Sequence, residues 1–245
     1  MTIDIFYKSY SKDFKLLNYS LLSLTKNVTD YNQVVILIPE NEKHLFDTRN
    51  LPERSVVHYV KEYGNGYLFQ QVCKIKAHNY SNADFILFSD SDCIFDRPID
   101  LQKVFKDNRP EILYTDYSKV GDAICWKKPT EDFMNDTVIW EYMRRNQLIY
   151  HRSTLIDLSY LNPNLEFSIM NSGMFSEFNA IGAFAEKYER HKYSFVNTDN
   201  WTYTPPLGIQ LWSHFQSGNE ELHKNEKERA LKVINEALGL NITEL

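Results

Sequence analysis

The sequence is short of cysteine, of basic charge and of long apolar runs, and each shortage excludes something. Its three cysteines, Cys73, Cys93 and Cys125, form no C-x-x-C pair and leave an odd count. That excludes a disulfide framework and reads as reduced thiols in a cytoplasmic protein. Lys and Arg number 27 against 33 Asp and Glu, a net charge of −6. A chain so charged does not grip nucleic acid along its whole surface, although a local basic groove stays open. No apolar stretch reaches the 18 residues of a membrane span, and the start Met-Thr-Ile-Asp-Ile-Phe-Tyr lacks the basic region of a signal peptide. Internal repeats and low-complexity linkers are also missing. What remains is 245 residues with 43% apolar content, enough for one large α/β domain with its own core. Aromatic side chains are plentiful, with 16 Tyr and 15 Phe. Tyrosines on a surface suit sugars or bases; most of these belong more simply in a core.

The apolar pattern reads as alternating strands and helices. Ile3 to Tyr7 is a strand. Ser11 can cap the helix that follows, whose Phe14, Leu17, Leu21 and Leu24 recur at helical spacing. Val34 to Ile38, ended by Pro39, is a second strand, and Ser55 to Val60 a weaker third. After a turn at Gly64-Asn-Gly66, the spacing predicts a helix over Tyr67–Tyr80, with Leu68, Val72 and Ile75 buried and Gln70, Lys74 and His78 on another face. Phe85 to Phe88 is a fourth strand. This order is the grammar of a doubly wound, mostly parallel sheet flanked by helices. Further on, Ile99 to Phe105 reads as a short helix and Glu111 to Thr115 as a strand. Phe167 to Phe175 reads as a strand with a turn at Asn171-Ser-Gly173, and Ala180 to Arg190 as a helix. Glu220 to Leu238 is an amphipathic helix stopped by Gly239.

The run Asp84-Phe-Ile-Leu-Phe-Ser-Asp90-Ser-Asp92-Cys-Ile-Phe95 carries the most chemistry. A buried strand is followed at once by two carboxylates spaced i, i+2. Open α/β sheets bind ligands just beyond the carboxyl ends of their strands. Two acids there suit a divalent cation and a phosphate; equally, they suit a polar turn capping a core strand. Oxygen ligands favour Mg²⁺ or Mn²⁺, and an imidazole would tilt the choice to Mn²⁺. His214, in Leu211-Trp-Ser-His214, is the best third ligand; the alternative is a structural histidine beside an apolar segment.

The first half resembles the GT-A fold of nucleotide-sugar-dependent glycosyltransferases. The resemblance rests on Ile3-Asp-Ile-Phe-Tyr-Lys-Ser-Tyr10, Val34-Val-Ile-Leu-Ile-Pro39, Gln70-Gln-Val-Cys-Lys74 and Phe88-Ser-Asp90-Ser-Asp92-Cys. It is nearest a compact branch found in bacteria and phages, and Asn171-Ser-Gly-Met-Phe-Ser-Glu177-Phe-Asn179 is similar to the acceptor-side segment of that branch. It implies one domain over 1–245: a nucleotide-sugar half at 1–100, an acceptor half at 101–218 and a C-terminal helix at 219–245. It implies a sugar moved from a nucleoside-diphosphate sugar to an acceptor hydroxyl, either on a glycan or on a hydroxymethylated base of phage DNA. Asp92 would bind the metal directly, Asp90 would contact ribose or metal-bound water, and His214 would match the late histidine of many such enzymes. Tyr7, Lys8 and Ser9 would lie beside the nucleotide, and Lys74 with Gln70 or Gln71 would face the donor; a surface lysine is the alternative for Lys74. Glu177 would be the base or the acceptor-binding acid, with Asp157 and Asp199 as competitors.

Trp140-Glu-Tyr-Met-Arg144-Arg145 and Tyr150-His151-Arg152 interleave basic and aromatic residues. They read as a track for a phosphate-bearing acceptor such as DNA, or as a charged face beside packed rings. Two other functions fit the paired acids. One is a phosphatase of the haloacid-dehalogenase type with Asp90 as nucleophile, although that family usually opens with its acid motif. The other is a non-catalytic nucleotide-sugar-binding module.

Overall fold

The computed structural model describes residues 1–200, 205–211 and 220–245. In chain order its strands are β1 (Ile3–Lys8), β2 (Val28–Thr29), β3 (Val34–Pro39), β4 (Ser55–Val60), β5 (Phe85–Phe88), β6 (Cys93–Ile94), β7 (Ile99–Asp100), β8 (Glu111–Asp116), β9 (Trp140–Glu141), β10 (Ile149–His151), β11 (Ser194–Asn197) and β12 (Ile209–Gln210). The helices are α1 (Phe14–Asn27), α2 (Gly66–Ile75), α3 (Lys127–Met134), α4 (Arg152–Leu161), α5 (Leu165–Met170), α6 (Glu177–Tyr188) and α7 (Glu220–Leu238).

The central sheet has the order β10-β5-β1-β3-β4. Its β1, β3, β4 and β5 run parallel, and β10 closes one edge antiparallel to β5. The expected mostly parallel α/β sheet is therefore present. Helices cover both faces, which is why β1, β3 and β5 are buried along their whole length. Alternation along the strands assigns the faces. Ile3, Ile5, Tyr7, Val34, Ile36 and Ile38 join Leu17, Leu21 and Leu24 of α1 in one cluster. Phe6, Val35, Leu37, Ile86 and Phe88 join Leu68, Val72 and Ile75 of α2, and Phe178 and Ile181 of α6, in the other. The chain leaves β1 for β3 on one side and returns from β4 through α2 to β5 on the other. The carboxyl ends of β1 and β5 thus flank a reversal of strand order, where such sheets form their ligand crevice.

Two expected elements differ. Ile99 to Phe105 is not a helix: Ile99–Asp100 pairs with Val28–Thr29 as β7 against β2, and only a 3-10 turn, Leu101–Lys103, follows. Pairing with a distant backbone segment overrides the local helical spacing. Phe167 to Phe175 does not begin as a strand: α5 buries Leu165 and Ile169, one helical turn apart, and leaves Phe167 74% exposed. The apparent alternation mixed buried and solvent-facing side chains. Beyond α5 the chain turns through Gly173 at φ +75°. The second expected helix forms as α2 and tightens into a 3-10 turn at Lys76–Asn79. The last helix forms as expected. Its Ala230, Ile234 and Ala237 pack with Leu16 of α1, Ile94 of β6 and Leu211. No helix among the described residues is long and apolar enough to cross a membrane.

Candidate active site

A cleft of about 680 Å³ opens at the carboxyl ends of β1 and β5. Local sequence explains how its walls are set. Period-two alternation along β1 sends Tyr7 and Lys8 to opposite faces. Lys8 reaches the cleft, where its Nζ lies 3.1 Å from Glu62 Oε2. Beyond β5 the chain turns sharply. The Cys93 amide donates to the Asp90 carbonyl at 3.1 Å, so Asp90, Ser91 and Asp92 line the cleft together. The short β6–β12 pairing and the Leu211 amide, which donates to the Asp92 carbonyl at 2.8 Å, hold the far side of that turn.

Asn65 starts α2 by accepting from the amides of Tyr67, at 2.9 Å, and Leu68, at 3.3 Å. Gln70 and Lys74, one turn apart, then face the acids. Lys74 Nζ is 2.8 Å from Asp90 Oδ1 and 2.8 Å from Glu177 Oε1, and its side chain is 4% exposed. It is not a surface lysine. Gln70 Nε2 donates to the same Asp90 oxygen at 3.3 Å. Ser176 caps α6 by accepting from the Asn179 amide at 3.3 Å, which sets Glu177 in the first turn. Gln71 Oε1 accepts from the Glu177 amide at 3.3 Å and ties α6 to α2.

Electrostatics bind these groups into one unit. Burial works against the Lys74 charge, but Asp90 and Glu177 outweigh it and hold the ammonium above its ordinary pKa. Burial raises the Glu177 carboxyl against the opposing pull of Lys74. The ammonium also lies 4.7 Å from the Phe178 ring centre. Across the cleft, Trp126 Nε1 donates to the Tyr67 hydroxyl at 3.2 Å, and that hydroxyl donates to the Phe175 carbonyl. Burial, then the nearby Glu177 charge, pushes the Tyr67 phenol up to about 12.

Of the residues singled out in the sequence, Lys8, Gln70, Gln71, Lys74, Asp90, Asp92 and Glu177 meet around this cleft. Tyr7 does not: its buried ring belongs to the α1 side of the sheet, and its hydroxyl lies 3.0 Å from Ser20 Oγ. Ser9 sits beneath the wall, accepting from Ser91 Oγ at 2.9 Å. His214 lies outside the described residues. The competitors of Glu177 are elsewhere: exposed Asp199 pairs with Lys119 at 2.6 Å, and Asp157 lies 3.7 Å from Lys192. The cleft also takes Tyr10, Lys12, Asp13, Glu62, Trp126 and Gln210, which no local pattern marked. Tyr10 to Asp13 merely follow the first strand, and Trp126 comes from the mixed stretch after Gly121.

The interleaved basic stretch turns inward. Arg144 pairs with Glu141, and Arg145 pairs with buried Glu111 at 3.0 Å. Arg152 donates to the carbonyls of His78 and Ser81. Among the described residues, no three His, Cys, Asp or Glu side chains are drawn together as a ready-made metal site. The two acids of the turn nevertheless have the donor chemistry for a hard cation. Both line the cleft, and the Asp90 side chain is 24% exposed.

A model described as a family of unknown function, DUF6492, matches residues 3–131 of the 245. The match covers β1 through α2, the acid turn and Trp126, and stops short of Glu177. No curated protein matches the sequence. With more than half of its length matched, the chain belongs to the DUF6492 family.

Proposed function

We propose that this protein is a metal-dependent glycosyltransferase of GT-A type, moving a sugar from a nucleoside-diphosphate sugar to an acceptor hydroxyl. The observation that carries the reading is the convergence of Asp90, Asp92, Lys74 and Glu177 in one cleft at the carboxyl edge of a parallel sheet. Asp90 and Asp92 would hold Mg²⁺ or Mn²⁺, with His214 a proposed third ligand. The bound cation would supply charge neutralisation on the departing diphosphate.

The chain's own residues divide the remaining work. Lys8 and Lys74 bring positive charge to the cleft wall that faces the acids. Glu177, whose carboxyl burial raises, suits a base that takes the acceptor hydroxyl proton. Trp126 and Tyr67, locked to each other, offer aromatic surface to a sugar ring. A glycan fits this cleft better than DNA does. Five carboxylates and three lysines line it, and the arginines of the interleaved basic stretch are committed to Glu141, Glu111 and backbone carbonyls. A phosphodiester track needs free cations.

Calorimetry with a panel of nucleoside diphosphates, with and without Mn²⁺, tests the reading. Asp92→Ala is expected to lose metal-dependent nucleotide binding by at least about tenfold while keeping its melting temperature. A variant that binds as wild type defeats the assignment. Mass spectrometry of wild-type protein with nucleotide sugars and simple glycans should then show transfer. A phosphoaspartate on Asp90 would instead decide for a phosphatase.

A further inference from the structure

We propose that Lys74 is a built-in competitor of the metal: its ammonium and the divalent cation contend for the Asp90 carboxylate, so metal and nucleoside diphosphate enter together and metal alone binds poorly. The inference rests on the metal-dependent reading above.

The geometry points to it directly. Lys74 Nζ sits 2.8 Å from Asp90 Oδ1, close enough to be that oxygen's principal counter-charge. A divalent cation brought to Asp90 would press like charge against this ammonium at contact distance. The side chain is 4% exposed, so little water is present to screen the repulsion. The ammonium cannot escape to solvent, and its second partner, Glu177 at 2.8 Å, keeps it within the cleft. A diphosphate changes the balance because its anionic oxygens attract both cations. Lys74 is suited to that exchange: it is a compact point charge on a flexible stem, able to let go of Asp90 and turn to phosphate while still held by Glu177. Gln70, the other donor to Asp90 Oδ1, is neutral and offers no such repulsion.

The rival account makes Lys74 a structural tie joining α2, the acid turn and α6. The two differ in one measurable quantity, the affinity for metal without nucleotide. Loss of the free Mn²⁺ signal in electron paramagnetic resonance gives that affinity for wild type, for Lys74→Met and for Lys74→Met/Glu177→Gln. The double variant removes the carboxylate that the single one would leave buried without its partner. Each is titrated alone and with uridine, guanosine, adenosine, cytidine or thymidine diphosphate, and circular dichroism reports the fold.

Wild type is expected to bind Mn²⁺ at least about tenfold more tightly with its diphosphate than without. Both variants are expected to bind Mn²⁺ alone about tenfold more tightly than wild type and to lose most of the nucleotide's enhancement. Folded variants whose affinity for metal alone is unchanged or weaker overturn the inference and leave Lys74 a structural tie. Wild type that binds Mn²⁺ equally well with and without its diphosphate overturns it too, whether or not the variants fold. Wild type that takes up no Mn²⁺ with any of the diphosphates removes the metal-dependent reading, and the inference falls with it.

Discussion

Tyr7 and Lys8 are neighbours in sequence and opposites in position. Lys8 meets Glu62 in the cleft, while the Tyr7 ring is buried against α1. Ser20 Oγ donates to the Cys93 carbonyl at 2.6 Å, so at the 3.0 Å contact between Tyr7 and Ser20 the tyrosine must be the donor. The relay ties β1, α1 and the residue after Asp92 together. It is structural, and Tyr7→Phe should therefore cost about 1 kcal/mol in denaturant unfolding and leave nucleotide affinity unchanged. A matching loss of affinity would place the phenol in the site after all. Lys74 teaches the converse. Its spacing from Gln70 puts both on one face of α2, but that spacing is silent on whether the face meets water or the end of β5. Only the return of the chain into β5 makes it a buried charge of the cleft wall.

At the scale of the element, α6 shows what sets a functional group in place. Apolar spacing suggested a helix from Ala180, yet the Ser176 cap starts it at Glu177. The three residues in question are those that deliver the carboxylate. Further along, Gly182 meets the Tyr142 ring so closely that an added Cβ would lie 2.4 Å from Cγ. Alanine would favour the helix by about 1 kcal/mol, but overpacking typically costs about 1–3 kcal/mol. The buried ring has little room to retreat, so the clash wins. Gly182→Ala is expected to lower the melting temperature by a few degrees in calorimetry; a rise would mean that Tyr142 yields freely. A glycine in mid-helix hints at close approach in any sequence, but its partner here comes from β9's neighbour, some forty residues earlier.

At the scale of the whole molecule, packing also sets the response to pH. Burial lowers the pKa of His58, His78 and His151. The unfolded chain then takes up protons near the ordinary value of about 6.5, while the folded protein resists. Where the unfolded state binds more protons, stability rises with pH, so this contribution is present at neutral pH and shrinks as pH falls below that value. Urea unfolding should show lower stability at pH 5.5 than at 7.5, and His151→Phe should make the difference smaller. A variant with an unchanged difference would exclude His151 as a source. Sequence by itself determined the alternation of strands and helices, the parallel core strands, the C-terminal amphipathic helix and the acid pair after Phe88, because each is written in side-chain periodicity or in adjacent residues. Tertiary structure alone decided that Lys74 and Glu177 meet at Asp90, that Trp126 joins Tyr67 and that Arg144, Arg145 and Arg152 turn inward. Those contacts join segments far apart in the chain, and nothing local specifies which buried charge will find which partner once strand order and helix placement bring them together.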